Sequence, residues 1–194
     1  MASHPVSKLT EEQYLAIERA AEFRSEFVDG ETFARAAVSI SHLRIQGNLL
    51  GEVYKASRGS AFEPFGSDSR VRVSSQAYVY PDVTVVCGEQ QPIDEHDDLL
   101  TNPVAIFEVL SPSTEKYDRG LKFQLYRSID SLSDYVLVKQ KQVRVEQFTR
   151  HADGGTWTFR DYQGPDEELK IDSIGVAIPL RRIYDRVSIP PATA

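Results

Sequence analysis

Two strongly apolar runs in the middle of the chain constrain the fold more than any other feature. Residues 83–87 read VTVVC and residues 104–107 read VAIF, and neither run alternates between apolar and polar side chains. A strand with one face in solvent would alternate, so both runs are typical of central strands covered on both faces. Such coverage requires flanking helices. The sequence therefore predicts an α/β or α+β domain with a mixed β-sheet flanked by helices.

Capping signals and apolar spacing predict the helices. The capping box TEEQ at residues 10–13 opens a first helix that extends to about residue 22. Ser41 is the expected cap of a second helix, to about residue 57, and Asp118 the expected cap of a third, to about residue 129. A short helix is expected over residues 180–184.

Turn signals separate the predicted strands. Asp29-Gly30 joins two short strands in an N-terminal hairpin, and Asp153-Gly-Gly precedes the second strand of a C-terminal hairpin. We expect further strands at residues 61–65, 70–73, 78–80, 82–87, 104–110, 134–138, 143–149 and 156–162. Residues 10–186 are assigned to a single domain, and residues 187–194 to a loose C-terminal tail.

Composition limits the partners without deciding between them. The chain has 22 basic and 29 acidic residues and a net charge of −7, which weighs against strong nonspecific binding to nucleic acid. A nucleic-acid enzyme is still compatible, because metal-binding carboxylates raise the acidic count. No signal peptide or membrane span is recognisable, so a cytoplasmic location is expected. The single cysteine, Cys87, is interpreted as a small core residue, and the acidic residues 94–98 as a solvated loop.

Glu108 is the most informative single residue, because it interrupts the apolar strand VAIFEVL. A carboxylate buried alone there would cost several kcal/mol or would stay protonated. Asp82 begins the neighbouring apolar run directly after Pro81. Two carboxylates on adjacent buried strands form an oxygen site of the kind that Mg²⁺ or Mn²⁺ prefers. The alternatives are a buried ion pair for Glu108 and a turn cap for Asp82.

Lys122 favours the metal-site interpretation. In the predicted third helix its neighbours at i+3, i+4 and i+7 are apolar (Leu125, Tyr126 and Ile129), so the lysine lies on or beside the face that packs on the sheet. An ammonium there could pair with Glu108 or hold a water or phosphate. The alternative is a side chain whose stem packs on the surface with its charge in water.

Several blocks together resemble a known family. They are YPDV at 80–83, FEVLSPST at 107–114, YDRGLKFQLY at 117–126 and DYVLV at 134–138, with EFVDGE at 26–31, His42 and GSDSRVR at 66–72. In this order they closely resemble the Uma-type family of putative restriction endonucleases, formerly a domain of unknown function. The resemblance covers about residues 10–150.

The resemblance implies the PD-(D/E)XK fold and metal-dependent cleavage of phosphodiester bonds. It implies that Asp82 and Glu108 are the metal-binding acids. The lysine expected two residues after the second acid falls on Leu110, and the family's usual substitute on the following helix would be Lys122. Glu26 is the candidate for a further acid, with an exposed strand residue as its alternative. His42 is either a support of the metal ligands or a helix residue without a role.

The sequence therefore predicts a Mg²⁺- or Mn²⁺-dependent endodeoxyribonuclease. Asp82 and Glu108 would hold the ion, with the Val109 carbonyl as a possible further ligand, and Lys122 would position the attacking water. The expected partner is DNA. A homodimer is also expected, because duplex cleavage requires two cuts and the chain offers one site. The rival hypothesis is a nuclease fold that binds nucleic acid or protein without turnover.

Overall fold

The computed structural model describes residues 8–35, 37–89 and 93–190. Its helices are α1 (Glu11–Ala20), α2 (Ile40–Ser57), α3 (Glu115–Tyr117), α4 (Phe123–Tyr126) and α5 (Leu180–Ile183), with a π-helical turn (Asp118–Lys122) between α3 and α4 and a 3-10 turn (Asp172–Ile174). Its strands are β1 (Ser25–Val28), β2 (Glu31–Ala34), β3 (Phe62–Phe65), β4 (Arg70–Ser74), β5 (Ala77–Val79), β6 (Val83–Cys87), β7 (Leu99–Leu100), β8 (Pro103–Leu110), β9 (Asp134–Lys139), β10 (Arg144–Arg150), β11 (Trp157–Gln163), β12 (Glu168–Ile171) and β13 (Val176–Pro179).

The largest sheet has six strands in the order β11-β10-β9-β8-β6-β3. The pair β8–β9 is parallel, and the other pairs of this sheet are antiparallel. A second sheet has the order β2-β1-β5-β4-β7, and β12 pairs with β13. The two apolar runs are β6 and β8, neighbours within the large sheet. The mixed sheet predicted from the sequence is confirmed.

Both faces of β8 are covered, as the lack of alternation predicts. Ala105, Phe107 and Val109 point into an apolar cluster that includes α2 side chains and residues of β12, β13 and α5. Ile106 and Leu110 point into a second cluster, which includes Tyr126 and the turn after α4. Glu108 leaves the strand on this second face, because alternate residues of a strand share a face. The strand thus aims one carboxylate at the π-helical turn and α4.

Two helix starts differ from the prediction. Helix α2 is capped by Ser39, whose Oγ accepts a 3.1 Å hydrogen bond from the amide of His42, and not by Ser41. Asp118 does not cap the third helical segment, which begins one turn earlier. There the amides of Thr114 and Glu115 bond to Ser111. The local hydrogen bonds of the SPST segment close a helical turn before Asp118, which consequently lies inside the helical segment and is buried.

Other differences concern short elements. Cys87 is exposed at the end of β6, so the interpretation as a core residue is wrong. The short strands β7, β12 and β13 were not predicted. In the proposed tail, Val187 and Ile189 pack against the first cluster, and residues 191–194 lie outside the described residues. Within the described ranges, no helix is long and apolar enough to cross a membrane.

Candidate active site

Asp82 stands at the junction between the two large sheets. It follows β5 of the second sheet and immediately precedes β6, whose first residue, Val83, pairs with Phe107 of β8. The carboxylate turns toward β8, where its Oδ2 accepts a 2.7 Å hydrogen bond from the amide of Val109. The side chain is buried. Asp82 therefore does more than cap a turn, because it fastens its own strand to the strand that carries Glu108.

Lys122 contacts Glu108 directly. Its Nζ lies 2.8 Å from Glu108 Oε1, and Tyr126 donates a 2.8 Å hydrogen bond to the same oxygen. Lys122 is 5% exposed and Glu108 is 4% exposed. The expected position of Lys122 on the sheet-facing side of the helical segment is therefore confirmed, and the alternative with its charge in water is wrong.

Glu26 reaches the same lysine from the second sheet. Its Oε1 lies 3.0 Å from Lys122 Nζ and accepts a 3.1 Å hydrogen bond from the amide of Tyr80. Strand β1 pairs with β5, the strand that leads into Asp82, so the N-terminal hairpin brings Glu26 beside the Pro-Asp segment. The alternative interpretation of Glu26 as an exposed strand residue is wrong, because the residue is only 6% exposed.

His42 contacts Asp82 from the first turn of α2. Its Nε2 lies 2.8 Å from Asp82 Oδ1, and both side chains are buried. The side-chain Nε2 of Gln46, one turn further along the helix, donates to the main-chain carbonyl of Asp82 at 3.1 Å. Helix α2 thus holds both the side chain and the backbone of Asp82, which fits a role of His42 in supporting that carboxylate.

Two participants were not identified from the sequence. Asp118, expected as a helix cap, has a buried carboxylate whose Oδ1 lies 3.8 Å from Lys122 Nζ. Gln140, directly after β9, is buried beside His42. The four-residue spacing of Asp118 and Lys122 could have indicated the first, since such pairs share a helix face. No sequence signal pointed to Gln140.

Among the described residues, three buried carboxyl groups therefore lie around the buried ammonium of Lys122, namely those of Glu26, Glu108 and Asp118, and the buried Asp82 lies next to them, bonded to His42 and the Val109 amide. Burial raises the pKa of Glu108 well above its ordinary value, which Lys122 only partly offsets. Burial also raises the pKa of Asp118. Burial alone would lower the pKa of Lys122, but Glu108, Glu26 and Asp118 together raise it well above its ordinary value. These directions have a common cause, a surplus of negative charge in a poorly hydrated place.

The donor set fits a hard divalent cation. Its side-chain groups are mainly carboxylates, and their surplus negative charge is what a bound cation would neutralise. In the described ranges no three or more His, Cys, Asp and Glu side chains are already arranged to hold a metal ion, and Lys122 Nζ bridges Glu26 and Glu108. The chemistry of the residues is therefore suitable, while a ligand geometry would require Lys122 to give up part of its contact with Glu108.

A cavity of about 370 Å³ opens onto these groups. Its lining also includes Phe33, Val38 and Leu121, each more than two-fifths exposed, and the half-buried Arg35. The acidic centre is thus reached through a rim with apolar side chains and one guanidinium.

The acidic segment 94–98 does not line this cavity. Within it Asp94 and Asp98 pair with Arg19 at 2.6 and 2.9 Å, so these two are ion-paired as well as solvated.

A mixed sheet between helices, with an acid before one central strand, a second acid inside the next and a lysine in contact with it, places the protein in the restriction-endonuclease-like class. The chain belongs to the Uma2 family, described as "putative restriction endonuclease", whose family model matches residues 11–181.

Two similar proteins come from Synechocystis sp. strain PCC 6803. The uncharacterized protein slr1290 is 36% identical over 183 residues, which cover 94% of each chain. The uncharacterized protein sll1609 is 35% identical over 163 residues, which cover 84% of this chain and 92% of the relative. The fold is also similar to the crystal structure of a putative nuclease of DUF820 from Anabaena variabilis. That comparison gives a TM-score of 0.75 at 15% identity and covers 93% of this chain and 99% of the other.

Proposed function

We propose that the protein is a Mg²⁺- or Mn²⁺-dependent endonuclease that hydrolyses phosphodiester bonds in DNA. The observation that carries the proposal is the buried ammonium of Lys122 among the carboxyl groups of Glu26, Glu108 and Asp118, with the buried Asp82 lining the same cavity. Burying surplus carboxylates costs stability, and a structural role would be met by fewer acids. Membership of the Uma2 family, described as "putative restriction endonuclease", supports the same proposal.

The residues that would hold the ion are Asp82 and Glu108, with the Val109 carbonyl and Glu26 as further oxygen donors. When bound, a divalent cation supplies activation of water and neutralises charge on the scissile phosphate. Asp82 is already oriented for this role, because hydrogen bonds from Val109 and His42 fix both of its oxygens.

Lys122 would act on the substrate. Lys122 lines the cavity, and a cation shared by Asp82 and Glu108 would release its ammonium from part of its pairing with Glu108. From that position it can orient the attacking water and stabilise negative charge developing on the phosphoryl oxygens. The exposed rim residues Phe33 and Leu121 would then lie beside the nucleotides that flank the cleaved bond.

A binding module without turnover is the rival function. The net charge of −7 and the direct Lys122–Glu108 contact favour it, since the first repels DNA and the second occupies a metal ligand. A homodimer and a cytoplasmic location stay predictions under either function.

A cleavage assay with purified protein separates the two functions. Supercoiled, linear, branched and single-stranded DNA would each be incubated with Mg²⁺, with Mn²⁺ and with EDTA. We expect metal-dependent cleavage that Asp82→Ala and Glu108→Ala each abolish without unfolding the protein. Glu63→Ala, which removes an exposed carboxylate from β3, is the matched control and should cut normally. Activity that persists in both site variants, or Mn²⁺ binding without cleavage of any substrate, would contradict the nuclease proposal.

A further inference from the structure

Gln140 joins three parts of the chain behind the acidic site. Its Nε2 lies 2.9 Å from the carbonyl oxygen of Leu110 and 3.4 Å from His42 Nδ1, and its Oε1 accepts a 2.7 Å hydrogen bond from Ser39. The side chain is buried. Gln140 therefore links the end of β8 to the first turn of α2 from a position just beyond β9.

These contacts define the direction of every hydrogen bond in the network. The carbonyl of Leu110 can only accept, so the amide nitrogen of Gln140 must face it. The same NH₂ group then donates to His42 Nδ1, which must be the unprotonated ring nitrogen. His42 consequently carries its proton on Nε2 and donates it to Asp82 Oδ1. Ser39 completes the order, because its Oγ accepts from the His42 amide and donates to Gln140.

We infer that Gln140 is a positioning residue that fixes the Nε2–H tautomer of His42 and, through it, the orientation of the Asp82 carboxylate. The inference rests on the proposed function where it treats Asp82 as a metal ligand. With Oδ1 held by His42 and Oδ2 by the Val109 amide, Asp82 keeps one arrangement of its remaining lone pairs. Partners of this kind behind a ligand raise metal affinity because less ordering is required on binding.

The tautomer of the His42 ring in the wild-type protein can be determined without any metal. Long-range ¹H–¹⁵N spectra of ¹⁵N-histidine-labelled protein at about pH 8.5, where an ordinary imidazole is neutral, report which ring nitrogen carries the proton. His42 is assigned by the signal lost in His42→Gln. We expect the Nε2–H form. An Nδ1–H ring in the wild-type protein would overturn the inference.

The variant Gln140→Glu tests whether Gln140 sets the tautomer of His42. It keeps the side-chain shape but replaces the donor to Nδ1 by an acceptor, so it should shift His42 toward protonation at Nδ1. Mn²⁺ affinity, measured by calorimetry, should fall roughly 10- to 100-fold. Gln140→Leu, which removes the donor without adding a charge, should give mixed tautomers and an intermediate loss. Gln142→Glu, an exposed neighbour, is the matched control for added charge and should change neither readout.

The two readouts separate this inference from the proposed function. An unchanged tautomer in both Gln140 variants, or an altered tautomer with unchanged Mn²⁺ affinity, would overturn the positioning role. A wild-type protein that binds no Mn²⁺ would instead overturn the metal-dependent function, while the spectra would still decide whether Gln140 sets the tautomer.

Discussion

Glu108 shows how a single buried carboxyl group can lower the stability of the folded protein. Its raised pKa, caused by burial, means that the folded protein favours the protonated carboxyl. Between the ordinary carboxyl pKa of about 4.3 and the raised pKa of the folded state, Glu108 ionises in the unfolded chain but stays protonated in the folded protein. The free energy of unfolding therefore falls as pH rises through this range. Glutamine has the same shape, remains neutral and can still accept from Tyr126 and Lys122 at Oε1.

We therefore expect metal-free Glu108→Gln to be more stable than the wild-type protein near neutral pH. The gain should be on the order of 1 kcal/mol for each unit of pKa shift that is relieved. For a chain of this size that corresponds to a Tm rise of about 2–4 °C. The difference should vanish toward about pH 4, where Glu108 is protonated in both states. Thermal unfolding in EDTA over a pH series measures it.

Glu63→Gln, at an exposed site on β3, controls for loss of a surface charge and should leave Tm nearly unchanged. Mn²⁺ should raise the Tm of the wild-type protein and not that of Glu108→Gln, because only ligands that bind the folded state stabilise it. A Glu108→Gln protein less stable than wild type near pH 8 would show that Glu108 is held mainly by its pairing with Lys122.

Lys122 lies near three carboxyl groups but pairs closely with only two of them. Its substitution should therefore have two separable effects, one on stability and one on cleavage. Lys122→Ala leaves Glu26, Glu108 and Asp118 without their common ammonium, which should cost about 3–5 kcal/mol in the absence of metal. Mn²⁺ should recover much of that loss. DNA cleavage should nevertheless fall by several orders of magnitude with little loss of metal affinity, because the ammonium acts mainly on the transition state.

Lys122→Arg should also cleave poorly, because a planar guanidinium does not replace a compact ammonium between two carboxylates. Lys116→Ala, an exposed lysine six residues earlier, is the matched control and should retain activity. Paired measurements of cleavage rate and Mn²⁺ affinity distinguish the two effects. Full cleavage by Lys122→Ala would remove Lys122 from the mechanism.

At the scale of elements, the N-terminal hairpin is the part of the second sheet that completes the site. Its turn residues Asp29 and Gly30 have φ angles of +50° and +87°, as two-residue hairpins require. The carbonyl of Gly30 accepts from the amide of Leu9, and a Cβ at Gly30 would lie 2.5 Å from Lys8 Cβ. This turn therefore sets both the hairpin that carries Glu26 and the entry to α1.

We expect Gly30→Ala to lower stability by more than the 1–2 kcal/mol that a positive φ alone costs, because the added methyl group also collides with Lys8. Cleavage should fall with it, since Glu26 depends on β1. Gly120→Ala is the matched control. Apart from its chain neighbours and its own helical backbone, no described atom lies within 4 Å of a Cβ added at Gly120, and the backbone there is helical, so stability should be unchanged or up to about 1 kcal/mol higher. Chemical denaturation measures both, and equal effects would contradict the argument.

The helical segment after β8 shows why element boundaries are harder to predict than the positions of key residues. Lys122 was placed correctly because its apolar neighbours at i+3 and i+4, Leu125 and Tyr126, follow the π turn and keep their helical spacing. The prediction that Asp118 caps the helix was wrong, because it used only the local capping preference of aspartate. The bonds of Ser111 to Thr114 and Glu115 start the helix earlier.

For the whole molecule, the mixed sheet and the burial of Glu108 and Lys122 follow from the sequence, because apolar neighbours leave a strong local signal. A glutamate inside VAIFEVL is conspicuous wherever the strand lies. The second sheet was not predicted as a unit, since its strands are short and its pairing joins residues far apart in sequence, such as Phe27 and Tyr78. The contact of Gln140 with His42 could not be predicted for the same reason, because the two residues are 98 positions apart in the sequence.

The predicted homodimer is a property of the whole molecule, and the exposed edge of strand β11 is the surface that we consider for it. The C-terminal hairpin has aromatic side chains that could form such a surface, but Trp157 packs against Phe123 within the chain, with ring centroids 5.5 Å apart, and beneath the guanidinium of Arg150. Phe159 is 52% exposed. It lies on β11, the end strand of the six-stranded sheet, which has β10 on one side. A two-fold axis beside such a strand would pair it with its copy and bury both Phe159 rings.

We expect a mass of two chains by light scattering at micromolar concentration. Phe159→Glu should shift the protein toward the monomer, because it would place two like charges at the axis and remove the apolar contact. Phe23→Glu, at a ring that is 82% exposed elsewhere, should leave the mass unchanged. Nicking of supercoiled DNA should survive Phe159→Glu, whereas the linear product of paired cuts should decrease, since each chain provides one site. A wild-type protein that is monomeric under these conditions would refute the dimer and leave the β11 edge without this role.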